Sequence, residues 1–309
     1  MVRRRIASSR ALVVLADGVQ AGFAAGVVAE LAARGVRWST ACGAGLGAQV
    51  AALAILGEAD EGERRWRRMA ESGMTMFESR VAAARALPVP AGVLVLPDAL
   101  ALGGWLADEG LAEFLAPERA GLPGRSRRGG VGLWAAVEDM VDGRRGWLDL
   151  TAGHAAEAAG NLDAAARFPV GWPPRRESEP PGESIRWGGT GALPESLPEE
   201  VLNARVDLVC GFPVPPARRP ELGDSLLELA QRRDEIGAAV RAQAWAQLLC
   251  RDSRVLAPDG RAWVEWSGRD GADLGVEYPL PWSRNGEVAA AIIQFGREAA
   301  RRALKSTRT

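Results

Sequence analysis

The chain of 309 residues contains one histidine, one tyrosine and three cysteines, and its single lysine is Lys305. Each scarcity closes off a class of protein. Cys42, Cys210 and Cys250 form no Cys-x-x-Cys pair and no zinc-ligand spacing, and an odd, scattered set builds no disulfide framework. A reducing, cytoplasmic compartment is the expectation. His154, beside Thr151 and Gly153 at a helix start, reads as a surface or capping residue, and nothing in its spacing pairs it with Cys42 or with a serine. No metal and no cofactor are expected. No run approaches the ~20 apolar residues needed to span a bilayer. Arg3, Arg4 and Arg5 look like a signal n-region, but the apolar stretch that follows, Ala11–Ala16, ends at Asp17 and is too short for an h-region.

Charge of one sign is also lacking: 38 basic residues stand against 39 acidic ones. No global field draws the chain to nucleic acid or to an anionic membrane. The dominance of arginine, with abundant Ala and Gly, fits a GC-rich coding bias better than phosphate binding, and Arg125–Arg128 reads as a solvated loop. Eleven tryptophans read mostly as packing residues.

Along the chain, Leu12–Leu15 is a buried strand stopped by Asp17-Gly18, and 22–34 is a helix ended by Gly35. A second strand (Val36–Cys42), the glycine turn Gly43–Gly47 and a helix (Ala48–Leu56) follow at once. Strand, tight turn and helix, repeated, open an α/β sheet with parallel strands. Further strands are expected at 92–96, 131–137, 146–150, 205–211, near Val255 and at 262–266, with Asp142-Gly143 as a hairpin connection. Helices are expected over 99–116, 154–166, 222–250 and 286–304. The apolar side of the third is read as Leu226, Leu227, Leu229, Ile236, Val240, Trp245 and Leu248. Residues 120–130 form a loop and Pro-rich 173–184 a mobile loop. Residues 1–309 are read as one domain with a tail over 1–10.

Four landmarks in order carry a resemblance. Asp17-Gly18-Val19-Gln20 precedes Gly22-Phe23-Ala24-Ala25-Gly26-Val27-Val28. Gly43-Ala44-Gly45-Leu46-Gly47 follows the next strand. Ala166-Arg167-Phe168-Pro169-Val170-Gly171-Trp172-Pro173-Pro174 is the third, and Trp187-Gly188-Gly189, then a Leu-Pro step and Val206–Val209, the fourth. This order resembles the bacterial patatin-like lipid acyl hydrolases. The resemblance implies a three-layer α/β/α fold with a mostly parallel sheet. It also implies an oxyanion loop at Asp17, Gly18, Val19 and Gln20, a nucleophile elbow flanked by Gly43 and Gly47, and a lipid or acyl ligand.

The departures fall on the chemistry. An acyl hydrolase needs an oxygen nucleophile on a strained turn, a carboxylate to orient its proton, and backbone N–H groups for the oxyanion. The nucleophile position is Gly45, which has no side chain, and the acid position is Trp187, which is no base. Losing a nucleophile costs on the order of a million-fold in rate, and losing one oxyanion donor roughly 3–4 kcal/mol. The expectation is a non-catalytic member that binds a lipid or acyl ligand or a protein partner, another copy included. Two alternatives stand beside it. One is hydrolysis by a relocated nucleophile at Ser39, Thr40 or Cys42. The other is nucleotide binding through Gly43–Ala48, with Glu58, Asp60 or Glu61 as the ribose carboxylate.

Overall fold

The computed structural model describes residues 9–72, 111, 114, 115, 132–151, 155–167, 172, 175–179, 182–217, 226–249, 252–261, 263 and 286–306. The expected strand at 92–96, the loop at 120–130, His154 and Cys250 lie outside them. Of the helix expected over 99–116, Leu111, Phe114 and Leu115 are described, and all three are helical and buried.

β1 (Arg10–Ala16) is buried from Ala11 onward. A strand apolar on both faces belongs inside a parallel sheet, and β1 pairs in parallel with β2 (Thr40–Gly45) on one side and β7 (Arg205–Cys210) on the other. β3 (Gly132–Asp139) joins β2 in parallel, and β8 (Arg254–Leu256) joins β7. The parallel core therefore runs β3-β2-β1-β7-β8. The chain leaves β1 toward one side of the sheet and later returns to pair on the other, which makes the β1/β7 boundary the topological switch point of a doubly wound sheet.

An antiparallel margin completes the sheet. β4 (Arg145–Asp149) folds back on β3, across the expected Asp142-Gly143 turn, where Gly143 has φ 73°. β6 (Gly182–Trp187) pairs with the end of β3, and β5 (Arg175–Glu179) with β6. These last two strands replace the mobile loop expected over 173–184. Proline and glycine flank the ribbon, at 173, 174 and 180–182, and the residues between them supply the ladder.

The second strand also differs from its expected span. It begins at Thr40 and carries Gly43, Ala44 and Gly45 as sheet residues, because they pair with Val14, Leu15 and Ala16 of β1. Trp263 is helical where a strand was expected over 262–266.

Helices flank the sheet. They are α1 (Gln20–Ala33), α2 (Gly47–Leu56), α3 (Ala59–Glu71), α4 (Ala155–Ala166), the short α5 (Glu199–Leu202), α6 (Leu226–Leu248) and α7 (Gly286–Ser306). α1 is buried at every residue from Gln20 to Leu31, since α3 and α7 cover the side that the sheet leaves open. Glycine makes that closeness possible: a Cβ at Gly26 would overlap the Ile293 carbonyl, and one at Gly296 the Phe23 carbonyl. Glu30 and Glu63, both buried, bridge the three helices through Arg297 and Arg301.

Of the side of α6 expected to face inward, Trp245 is buried, but Leu229, Ile236, Val240 and Leu248 are exposed; Arg232, Glu235, Ala238, Ala239 and Ala242 are buried in their place. The small alanines allow close approach, the Trp245 indole N–H donates to the Glu195 carbonyl at 3.0 Å, and Arg232 pairs with Glu235 at 2.6 Å. Among the described residues no helix is long and apolar enough to cross a membrane.

Candidate functional site

In an open α/β sheet, ligands bind beyond the carboxyl ends of the strands at the switch point. Here that place lies past Ala16 of β1, Gly45 of β2 and Cys210 of β7. The N-termini of α1 and α2 also end there, bringing the partial positive charge of two helices.

The first loop winds directly into α1. The Gln20 amide donates to the Asp17 carbonyl at 3.0 Å, Gly18 has φ 49°, and Val19 precedes the helix. Gln20, 1% exposed, accepts from the Asp17 amide with its Oε1 at 3.3 Å. Asp17 sends its carboxylate inward. The Thr190 amide donates to both carboxylate oxygens at 3.0 Å, and the Thr190 hydroxyl donates to Oδ2 at 2.6 Å. Burial pushes the Asp17 pKa up from 3.8 to about 6, against the two Thr190 hydrogen bonds that hold it down.

The elbow has the geometry its glycines imply. β2 ends at Gly45, Leu46 caps α2, and the helix starts at Gly47. Gly45 has φ 62°, the left-handed conformation that L side chains rarely adopt. A Cβ there would lie 2.5 Å from the Ala16 carbonyl oxygen and overlap Asp17 Oδ1. Asp17 therefore fills the space into which a side chain at the elbow would project. Gly43 and Gly47 admit close packing: a Cβ on Gly43 would meet the backbone of Ala48, and one on Gly47 the carbonyl of Val14.

Trp187 is the residue expected at the acid position. It ends β6 opposite Glu138, half-buried, and its indole N–H donates to the Trp172 carbonyl at 3.0 Å. The chain then passes through Gly188 and Gly189, whose amides donate to the carbonyls of Arg167 and Ala165. Thr190, three residues beyond Trp187, is the one that reaches Asp17. Sequence reasoning missed Thr190. Its only local signal is the Gly-Gly step before it, where Gly189 has φ 81° and lets the backbone reverse.

The alternative nucleophiles lie elsewhere. Ser39, exposed, and Thr40 sit at the amino end of β2, next to Arg10 and Ala11. They stand roughly 17–20 Å from Gly45 at ~3.3 Å per strand residue. Cys42 is wholly buried in β2, and burial drives its thiol pKa up, so the reactive thiolate is suppressed. Of the carboxylates considered for a ribose, Glu61 is bound by Arg64, Arg65 and Arg68 along α3. A dinucleotide fingerprint belongs to the first strand–helix turn, and here that turn is Asp17–Gln20. Among the described residues no group of three or more His, Cys, Asp or Glu could hold a metal ion.

The described elements form a doubly wound α/β sheet whose glycine turn between β2 and α2 lies at the carboxyl ends of the parallel strands. No protein-family model and no curated protein sequence matches the chain. Among solved structures it is similar to VipD from Legionella pneumophila, at 12% identity and a TM-score of 0.47. That alignment covers 97% of this chain and 67% of VipD.

Proposed function

We propose that this chain is a single-domain, patatin-like protein that has lost the Ser–Asp dyad and serves as a non-catalytic binder of a lipid or acyl ligand or of a protein partner. The observation that carries this reading is the Asp17 carboxylate beside Gly45. The position of a nucleophile has no side chain, and the space one would need is filled by an anion. That anion lies where negative charge would develop in acyl transfer, so it opposes the transition state it replaces. Trp187 and Gln20, at the acid and oxyanion-loop positions, support the same reading.

A second reading rests on one contact. The Thr190 hydroxyl donates to Asp17 at 2.6 Å, the arrangement of a hydroxyl nucleophile and its base. In that reading the pair is a relocated dyad, and the protein remains a carboxylic ester hydrolase. Near-complete burial of both residues, at 3% and 2% exposure, favours the first.

One experiment separates them. The purified protein is assayed on p-nitrophenyl acyl esters and phospholipid vesicles and treated with a fluorophosphonate probe. The expected outcome is hydrolysis at background and no labelling. Labelling that Thr190→Val abolishes would overturn the non-catalytic reading and establish the second.

A further inference from the structure

Thr190, Gly191 and Ala192 form one turn of 3-10 helix with a carboxylate on either side. On the inner side, Asp17 accepts from the Thr190 amide and hydroxyl. On the outer side, Asp234 of α6 lies so near Gly191 that a Cβ there would stand 3.3 Å from its Cγ. α6 rests on this turn, and Asp17 ties the turn to the carboxyl end of β1. Asp17 is 2% exposed, and its Thr190 donors are neutral. Asp234 is the charged group that acts on Asp17, and it disfavours the Asp17 charge. Asp234 is itself faced by Arg233 on its own helix, Arg145 on β4 and Glu138 on β3.

We propose that Asp17 and the Thr190–Ala192 turn form a proton-operated latch, shut when Asp17 is protonated and loosened when Asp17 is charged, so that the turn and the helix resting on it open more often as pH rises. A protonated Asp17 keeps both contacts, donating to the Thr190 hydroxyl while accepting from the amide. An ionised Asp17 regains hydration only when the latch opens, and Asp234 across the turn adds repulsion. With the Asp17 pKa at about 6 when shut, against 3.8 in water, the change falls at mildly acidic to neutral pH. Opening uncovers Gly45 and the amino ends of α1 and α2, the route by which a ligand reaches the switch point. The latch operates whether or not the elbow turns over an ester, so the hydrolysis assay and the measurement below fail independently.

The test is amide hydrogen exchange at Thr190 by NMR, with opening constants corrected for intrinsic exchange, from pH 5 to pH 8. The wild-type constant is expected to rise about tenfold over that range while the Val13 amide in β1 shows no such rise, and Asp17→Asn is expected to be flat. A wild-type opening constant that does not change with pH, or an equal rise in Asp17→Asn, overturns the latch. If Asp17→Asn does not fold, the carboxyl 13C titration of Asp17 in the wild type decides. A midpoint near 6 upholds the latch, and one in the ordinary carboxylate range near 3.8 overturns it.

Discussion

Asp17 and Gly45 are bound by a steric exclusion that can be measured as a coupling. Gly45→Ser places a Cβ against the Ala16 carbonyl and the Asp17 carboxylate in a left-handed backbone, so it should cost on the order of 3 kcal/mol or more. Asp17→Gly alone strands the Thr190 hydroxyl and amide in a buried place, at about 1–3 kcal/mol. The double variant, in which the overlap with Asp17 is relieved and the one with the Ala16 carbonyl remains, is expected to be more stable than the two single losses predict, by about 1–3 kcal/mol in a double-mutant cycle read by urea denaturation. Additive losses would mean that the two residues do not compete for the same space. The glycines of the elbow were legible in the sequence because glycine is dictated locally, by a turn and a close approach. Thr190 was not, since it stands 173 positions from Asp17 and no spacing rule links them. Trp187 drew attention by filling a family position, while its indole is committed to the Trp172 carbonyl.

The same contrast between local and distant causes holds for the elements. The β1–α1–β2–α2 opening was readable because apolar runs, glycine stops and helical spacing are all short-range. The face that α6 buries was misread because an apolar stripe marks the inward side only where tertiary packing calls for bulk. The fold buries Ala238, Ala239, Ala242 and Trp245 and leaves Ile236 and Val240 in solvent. α1 and α7 show how much one small residue can decide. Gly26→Val or Gly296→Val would drive a branched side chain into a facing carbonyl and force the helices apart. Each is expected to cost about 3 kcal/mol or more and to lower Tm by several degrees in a thermal melt. Gly35→Ala, where no atom lies within 4 Å, is the control: only its left-handed backbone is strained, at about 1 kcal/mol.

For the whole molecule, carboxylates of opposite behaviour set the response to acid. Asp17 has its pKa raised to about 6 in the fold. Its contribution to stability is therefore fully present below 3.8 and is lost as pH rises through 6, a difference on the order of 3 kcal/mol. Glu30 and Glu61 have theirs lowered, first by hydrogen bonds from Arg301 and Arg68. Their contribution is present above the ordinary value of 4.5 and is lost as pH falls. Stability is expected to peak near about pH 4.5 and to fall between there and about pH 6, as read from Tm against pH. Asp17→Asn should flatten that fall and leave the acid limb in place. A peak above pH 7 in the wild type would contradict this assignment.

The packing of α1 against α7 also has a consequence in time. Glu30 and its partner Arg297 are 267 positions apart. At ~5–20 residues per second, α1 is synthesised tens of seconds before the helix that covers it. Through that interval a helix buried from Gln20 to Leu31 in the finished fold has one face with nothing to bury against. The nascent chain is thus a natural client for chaperones that hold apolar segments, and the order of synthesis, more than the final contacts, sets when it becomes safe from aggregation.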